Sequence, residues 1–146
     1  MDIHKANGAR FIAADDMIVR WERQTGRQFE PVTTAWIFAV LAGRDGAFVD
    51  VGAATGWFSI PAAMAGREAI CVEANARVRS RLEDNAAMND VDLRIIAAAA
   101  SDSEAGATFT YNPLLPLTSG GSVETGLAPN TAQERVPTVR LDDQID

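Results

Sequence analysis

The 146-residue chain is 47% hydrophobic, enough for one domain with a packed core, and its 20 acidic against 13 basic residues leave a net charge of -7. That balance repels phosphate backbones and anionic bilayers, which excludes nucleic acid and membrane surfaces as electrostatic partners and points to a soluble protein handling small molecules. A single cysteine and a single histidine exclude an internal disulfide and a zinc cluster, so no metal and a reducing, cytoplasmic setting are expected.

Met1 to Lys5 lack the apolar core of a secretory signal. They read as a frayed terminus, which keeps His4 out of any catalytic triad. Between Gly8 and Arg23 the apolar residues Phe11, Ile12, Met17, Ile18, Val19 and Trp21 recur at mixed spacing, as in a short strand or helix. Gln24 to Arg27 form a turn. Thr33 or Thr34 then caps a helix from Thr34 to Ala42, with Gly43 as its left-handed terminus and Arg44–Gly46 as the following turn. Its apolar run, Ala35 to Ala42, is far short of the ~20 residues of a membrane span. Residues 1–32 are assigned to an N-terminal extension and 33–146 to the main unit of the same single domain.

Ala47 to Val51 is a strand apolar on both faces, followed by a loop from Gly52 to Gly56. A helix from Trp57 to Ala65 tolerates Pro61 only in its first turn, and Gly66 closes it. Glu68 to Val72 is the next strand, with Cys71 as a small core residue. Asn75 caps a helix from Ala76 to Asn89 whose apolar positions include Val78, Leu82 and Met88. Arg77, Arg79 and Arg81 are expected on its solvated face. A third strand covers Asp92 to Ala97. This β-α-β-α-β order dictates an α/β fold with a parallel sheet and right-handed crossovers.

Ser101 to Gly106 is a turn, Ala107 to Tyr111 a strand, and Asn112 to Asn130 a long loop with Gly120–Gly121 as flexible linker. Val136 to Leu141 is an edge strand marked by Pro137, and Leu141 to Ile145 start a helix. No further parallel strand is available to flank the first one on its free side. The sheet is therefore expected to be truncated after the third β-α unit and an edge hairpin, as the first half of a larger domain.

The first two strands of the sheet both end in carboxylates, Asp50 and Glu73, around the turn Gly52-Ala53-Ala54-Thr55-Gly56. The glycines allow close approach and unusual backbone angles, and the next helix start offers N–H groups to an anion. Glu73, about 20 residues past the loop, can accept from ribose hydroxyls. A dinucleotide site wants Gly-x-Gly-x-x-Gly, and the central glycine is not here. Asp50 at the mouth would repel a pyrophosphate and suit a cationic cofactor, S-adenosylmethionine. The plainer alternatives are a loop brace for Asp50, a solvated strand end for Glu73 and a simple turn residue for Asp102. Trp57 and Phe58 suit core or pocket wall, and Asn85 suits a bond to backbone near the first strand.

The pattern Phe48-Val49-Asp50-Val51-Gly52-Ala53-x-x-Gly56, then an aromatic and Ser59, resembles the FkbM-type S-adenosylmethionine-dependent methyltransferases. So do Val72-Glu73-x-Asn75 with Leu82, Asn85 and Asn89, the run Ala98 to Asp102, Gly106, and Val139 to Asp143. The resemblance implies a Rossmann-like class I methyltransferase sheet and O-methyl transfer to a hydroxyl of a sugar or natural product. It implies that Asp50, Gly52, Ala53, Ala54, Thr55 and Gly56, with Trp57 following, hold the methionine part. Glu73 would bind the ribose with Ala74 and Asn75 nearby, and Ser101 and Asp102 would flank the adenine. Ala54 replaces a usual Asn, Ala74 and Ala76 replace usual prolines, and the family's next, acceptor-lining strand is missing, so no catalytic residue is named. Two other readings stand beside this one: an NAD-type oxidoreductase half, and a non-catalytic fragment whose open strand edge pairs it with another chain or into a homo-oligomer.

Overall fold

The computed structural model describes residues 1–103, 105–114, 121–122 and 131–145. It opens on an antiparallel hairpin, β1 (Ile3–Ala6) with β2 (Ala9–Ile12). Asn7 and Gly8 at its tip have φ of 52° and 81°, the positive pair that a two-residue hairpin turn requires. His4 is therefore not frayed: it pairs with Phe11 in the ladder, and its Nε2 lies 2.6 Å from Glu22 Oε2. The mixed apolar spacing after Gly8 resolves into β2 followed by a helix, α1 (Met17–Thr25). Asp16 caps α1, and left-handed Gly26 (φ 64°) ends it.

The next helix, α2 (Pro31–Gly43), starts earlier than its threonines suggested. Pro31 occupies the first turn, where its fixed φ suits a helix and its missing N–H costs nothing. Thr34 is consequently an interior, buried residue and not the cap. Gly43 is the last helical residue without a left-handed φ; extended Arg44 ends the helix, and Gly46 (φ 124°) makes the turn. Although α2 carries no charge, it stays largely open, with Val32 80% and Trp36 67% exposed.

The central unit is β3 (Phe48–Val51), α3 (Ser59–Met64), β4 (Ala69–Val72), α4 (Ala76–Met88) and β5 (Arg94–Ile96). The strands form a parallel sheet in the order β3-β4-β5. Asp50, Cys71 and Ile95 are ladder partners, so their side chains share one face. Leu82 of α4 packs with Cys71 and Ala53 on that face. Central β4 is buried throughout, whereas β3 is only half-buried and Val51 is 52% exposed. The expectation of burial on both faces fails for β3 because, among the described residues, it pairs with β4 alone. Residues 54–58 form turns, so α3 begins two residues later than expected, with Pro61 still in its first turn and Gly66 (φ 82°) behind it. Arg79 and Arg81 are not simply solvated: Arg79 donates to the carbonyls of Glu73 and Ala74, and Arg81 to those of Ile12 and Ala14.

Beyond the sheet lie β6 (Ala99–Ala100), β7 (Ala107–Tyr111), β8 (Gly121–Ser122), β9 (Ala132–Val136) and β10 (Thr138–Val139). An antiparallel sheet runs β8-β7-β9, and β10 pairs parallel with β6. The expected edge strand is thus cut in two at Pro137, whose missing N–H breaks a ladder and whose carbonyl accepts from Ala99 N–H at 2.9 Å. The helix start at Leu141 is a short 3-10 turn, Leu141–Asp143. Within the expected loop 112–130, β8 is a strand; residues 115–120 and 123–130 lie outside the described residues, as do Glu104 of the expected turn and Asp146.

The largest apolar cluster joins Ala9, Phe11, Ile18, Val19, Trp57 and Ile60. Residues assigned to the extension therefore share a core with α3. Phe11, Ile60 and Leu82 are fully buried, each worth about 1.5–3 kcal/mol relative to exposure. Among the described residues, no helix is long and apolar enough to cross a membrane.

Candidate functional site

Parallel strands bring their carboxyl ends to one edge of a sheet, and loops leaving that edge are where α/β folds place ligands. The loop after β3 leaves there beside Glu73, which follows β4. Glu73 lies two residues past Cys71, the ladder partner of Asp50, so the alternation of side chains sends both acids from the same face.

The carboxylates do different work. Glu73 is buried; its Oε2 accepts the Ala54 N–H at 3.0 Å and its Oε1 the Asn75 N–H at 2.8 Å. It therefore ties the glycine loop to the start of α4. A carboxylate has about four acceptor sites, so each oxygen retains capacity for a ligand hydroxyl. Asn75 is buried and its side chain caps α4 by accepting from Arg77 N–H at 3.0 Å. Asp50 instead accepts from the Ser59 hydroxyl of α3. Burial raises its carboxyl above the ordinary value, and the Ser59 hydroxyl and backbone N–H oppose that rise. The same face pushes the buried Cys71 thiol up to about 11: burial raises it, Ser59 opposes, and the charge on Asp50 raises it further.

The loop has three positive φ values: Gly52 (79°), Ala54 (49°) and Gly56 (88°). A Cβ at Gly52 would meet nothing within 4 Å, so the exposed side of the loop start is open to an incoming molecule. A Cβ at Gly56 would lie 2.7 Å from Cδ1 of both Ile60 and Leu82. The first glycine faces outward and the second faces core. Most of the loop's amides already have acceptors: Gly52 and Ala53 donate to the Val72 carbonyl, Ala54 to Glu73, and Gly56 to the Ala53 carbonyl.

The remaining candidates separate. Ala53, Thr55 and Gly56 are buried in the loop. Trp57 is 2% exposed and stacks on Phe11 with ring centroids 4.7 Å apart, so its side chain belongs to the N-terminal core. Ala74 is half-buried against the cluster of Ala99, Phe109 and Val136. Ser101 accepts from Ser103 N–H at 3.1 Å, while Asp102 is exposed just beyond β6. Asn85 bonds backbone on two sides, accepting from Ile12 N–H and donating to the Thr55 carbonyl, both at 2.9 Å.

The sequence reading missed Asp16. Its Oδ1 accepts from Ile18 and Val19 N–H, and its Oδ2 from the Thr55 hydroxyl at 2.8 Å. An aspartate just before the apolar run Met17 to Val19 is a helix-start signal. Nothing local in the sequence points to its contact with Thr55. Arg79 and Arg81, which bond backbone carbonyls, carried no sequence signal beyond charge.

No family model matches the sequence, and neither does any curated protein. Among solved structures, the chain is similar to an S-adenosylmethionine-dependent methyltransferase from Agrobacterium tumefaciens, at 18% identity and a TM-score of 0.50 over 67% of this chain and 32% of that one. A hypothetical protein from Thermus thermophilus aligns at 24% identity and a TM-score of 0.44, over 51% of this chain and 46% of that one. The chain thus spans less than half the length of either. The likeness to the Agrobacterium structure is one of fold: mixed α/β with a parallel sheet.

Proposed function

We propose that this chain forms the cofactor-binding part of an S-adenosylmethionine-dependent methyltransferase of Rossmann-like class I architecture. The observation that carries the reading is the joint at Glu73. A buried carboxylate at the end of β4 is hydrogen-bonded to the Ala54 N–H of the glycine loop after β3. It keeps spare acceptor sites beside a loop whose first glycine is open to solvent.

In this reading the loop from Asp50 to Gly56 receives the methionine part, Glu73 accepts from the ribose, and Asp102 with Ser101 lies toward the base. Held by that loop and by Glu73, the cofactor would supply an electrophilic methyl group for transfer to an acceptor oxygen. The chain's own part is positioning and exclusion: Glu73 and the loop fix the nucleoside, and Asp50 with Ser59 fixes the loop's exit from β3. The acceptor is proposed to be a hydroxyl of a sugar or other small molecule, consistent with the resemblance to FkbM-type enzymes. Among the described residues β3 pairs with β4 alone, and its other edge supports association with a further strand, from another chain or a second copy.

A dinucleotide oxidoreductase is less well supported. Pyrophosphate sites need free backbone N–H groups at the loop, and those of Gly52, Ala53, Ala54 and Gly56 already have protein acceptors. Titration calorimetry with S-adenosylhomocysteine, with NADH as control, tests the assignment. Saturable heat with the former alone is expected. Binding of NADH alone, or of neither by folded protein at millimolar ligand, refutes it.

A further inference from the structure

The N-terminal helix reaches the glycine loop through one buried side chain, Asp16, at 1% exposure. Capping α1 needs a single acceptor oxygen, and Oδ1 supplies it to Ile18 and Val19 N–H at 2.9 and 3.2 Å. A serine or threonine would suffice for that. The second oxygen takes the hydroxyl of Thr55, 39 residues away and 0% exposed. Thr55 is held from its other side as well, since its carbonyl accepts from Asn85, whose Oδ1 in turn takes Ile12 N–H. Both grips on Thr55 run back to the first 16 residues, one through Asp16 itself and one through β2.

What needs gripping is the residue before Thr55. Ala54 is a non-glycine residue at φ 49°. Such a conformation persists only where its surroundings over-determine it. Glu73 holds the Ala54 N–H, and Asp16 and Asn85 hold Thr55. Resting on the methyl-donor reading above, we infer that Asp16 is a positioning residue for the cofactor loop: the hairpin and α1 hold residues 54–56 in the binding geometry, so the N-terminal segment sets cofactor affinity without touching the cofactor. Preorganisation of this kind lowers the ordering cost of binding.

The test separates capping from positioning. Asp16→Ser retains an oxygen for the α1 cap and drops the bond to Thr55. Thr55→Val removes the same bond from the loop side at nearly constant volume and keeps the fold if the first variant does not. Backbone hydrogen exchange of the free protein is read at Ala54, Thr55 and Gly56, with the Arg20 amide of α1 as the internal control. Both variants are expected to speed loop exchange about tenfold, the scale of one charge-assisted hydrogen bond, and to leave Arg20 unchanged. S-adenosylhomocysteine should bind each about 5- to 10-fold more weakly, and the double variant no more weakly than either single one. Unchanged loop exchange in a folded Thr55→Val overturns the proposal and leaves Asp16 a helix cap. Wild-type protein that binds no S-adenosylhomocysteine overturns the methyl-donor reading instead, and the exchange data still decide whether Asp16 orders the loop.

Discussion

Replacing Gly56 with alanine places a methyl carbon 2.7 Å from Cδ1 of Ile60 and of Leu82, both fully buried. Contacts below 3 Å between carbons are strongly repulsive, so α3 and α4 must move or their side chains leave their rotamers. Overpacking of a tight core costs about 1–3 kcal/mol, and an L-residue at φ 88° adds roughly 1–2 kcal/mol of backbone strain. The sum, about 2–5 kcal/mol, is a large share of the ~5–15 kcal/mol that holds a domain together. At about 2–4 °C per kcal/mol for a chain of this size, the melting temperature should fall by roughly 4–20 °C. Gly52→Ala is the matched control: its φ is 79° but its Cβ meets nothing within 4 Å, so only the strain of about 1–2 kcal/mol remains. Urea unfolding of both variants, followed by tryptophan fluorescence, measures the difference. Equal destabilisation by the two, or a cost below about 0.5 kcal/mol for Gly56→Ala, would refute the packing argument.

Ala54→Gly should stabilise the protein by about 0.5–1 kcal/mol, because the left-handed angle penalises a Cβ more than glycine's extra unfolded-state entropy costs; a loss in urea unfolding contradicts the strain at this position. Asp50→Asn keeps an acceptor for the Ser59 hydroxyl and removes a buried charge. Because burial raises the Asp50 carboxyl in the fold, its stabilising contribution is complete below its unfolded value of about 3.8 and is lost as pH rises through the folded value. The variant should therefore be at least as stable as wild type at neutral pH, with a flatter decline from acid to neutral; a steeper decline in pH-dependent unfolding rules this out. Asn85→Ala strands the buried Ile12 N–H and Thr55 carbonyl and should cost about 2–5 kcal/mol; a chemical-denaturation loss under about 1 kcal/mol would show that neither bond matters. Cys71, with its thiol pushed up to about 11 and no exposed surface, should resist iodoacetamide in native protein and react fully in urea; rapid native modification would show that β4 is accessible.

The repeating β-α unit was written in the chain's local pattern. Continuous apolar strands, an asparagine cap at Asn75 and glycine stops such as Gly66 are local signals, and the ladder order β3-β4-β5 sets consecutive strands side by side, as sequential β-α units usually do. The two strand-end acids and the glycine loop were legible for the same reason, since motif spacing survives without tertiary context. Folding in three dimensions assigned what each of those residues does. Gly52 and Gly56 read alike in the sequence, yet one faces open space and the other two core side chains. Asp50 read as a charge at the mouth of the site, but the packing of α3 turned it toward Ser59. Trp57 read as core or pocket wall beside the loop, and the hairpin of the first 12 residues decided for the core. Asp16 carried only a cap signal, because its partner Thr55 is brought to it by folding alone. Local propensity resides in neighbouring residues, whereas a buried contact across 39 positions depends on the packing of every element between them.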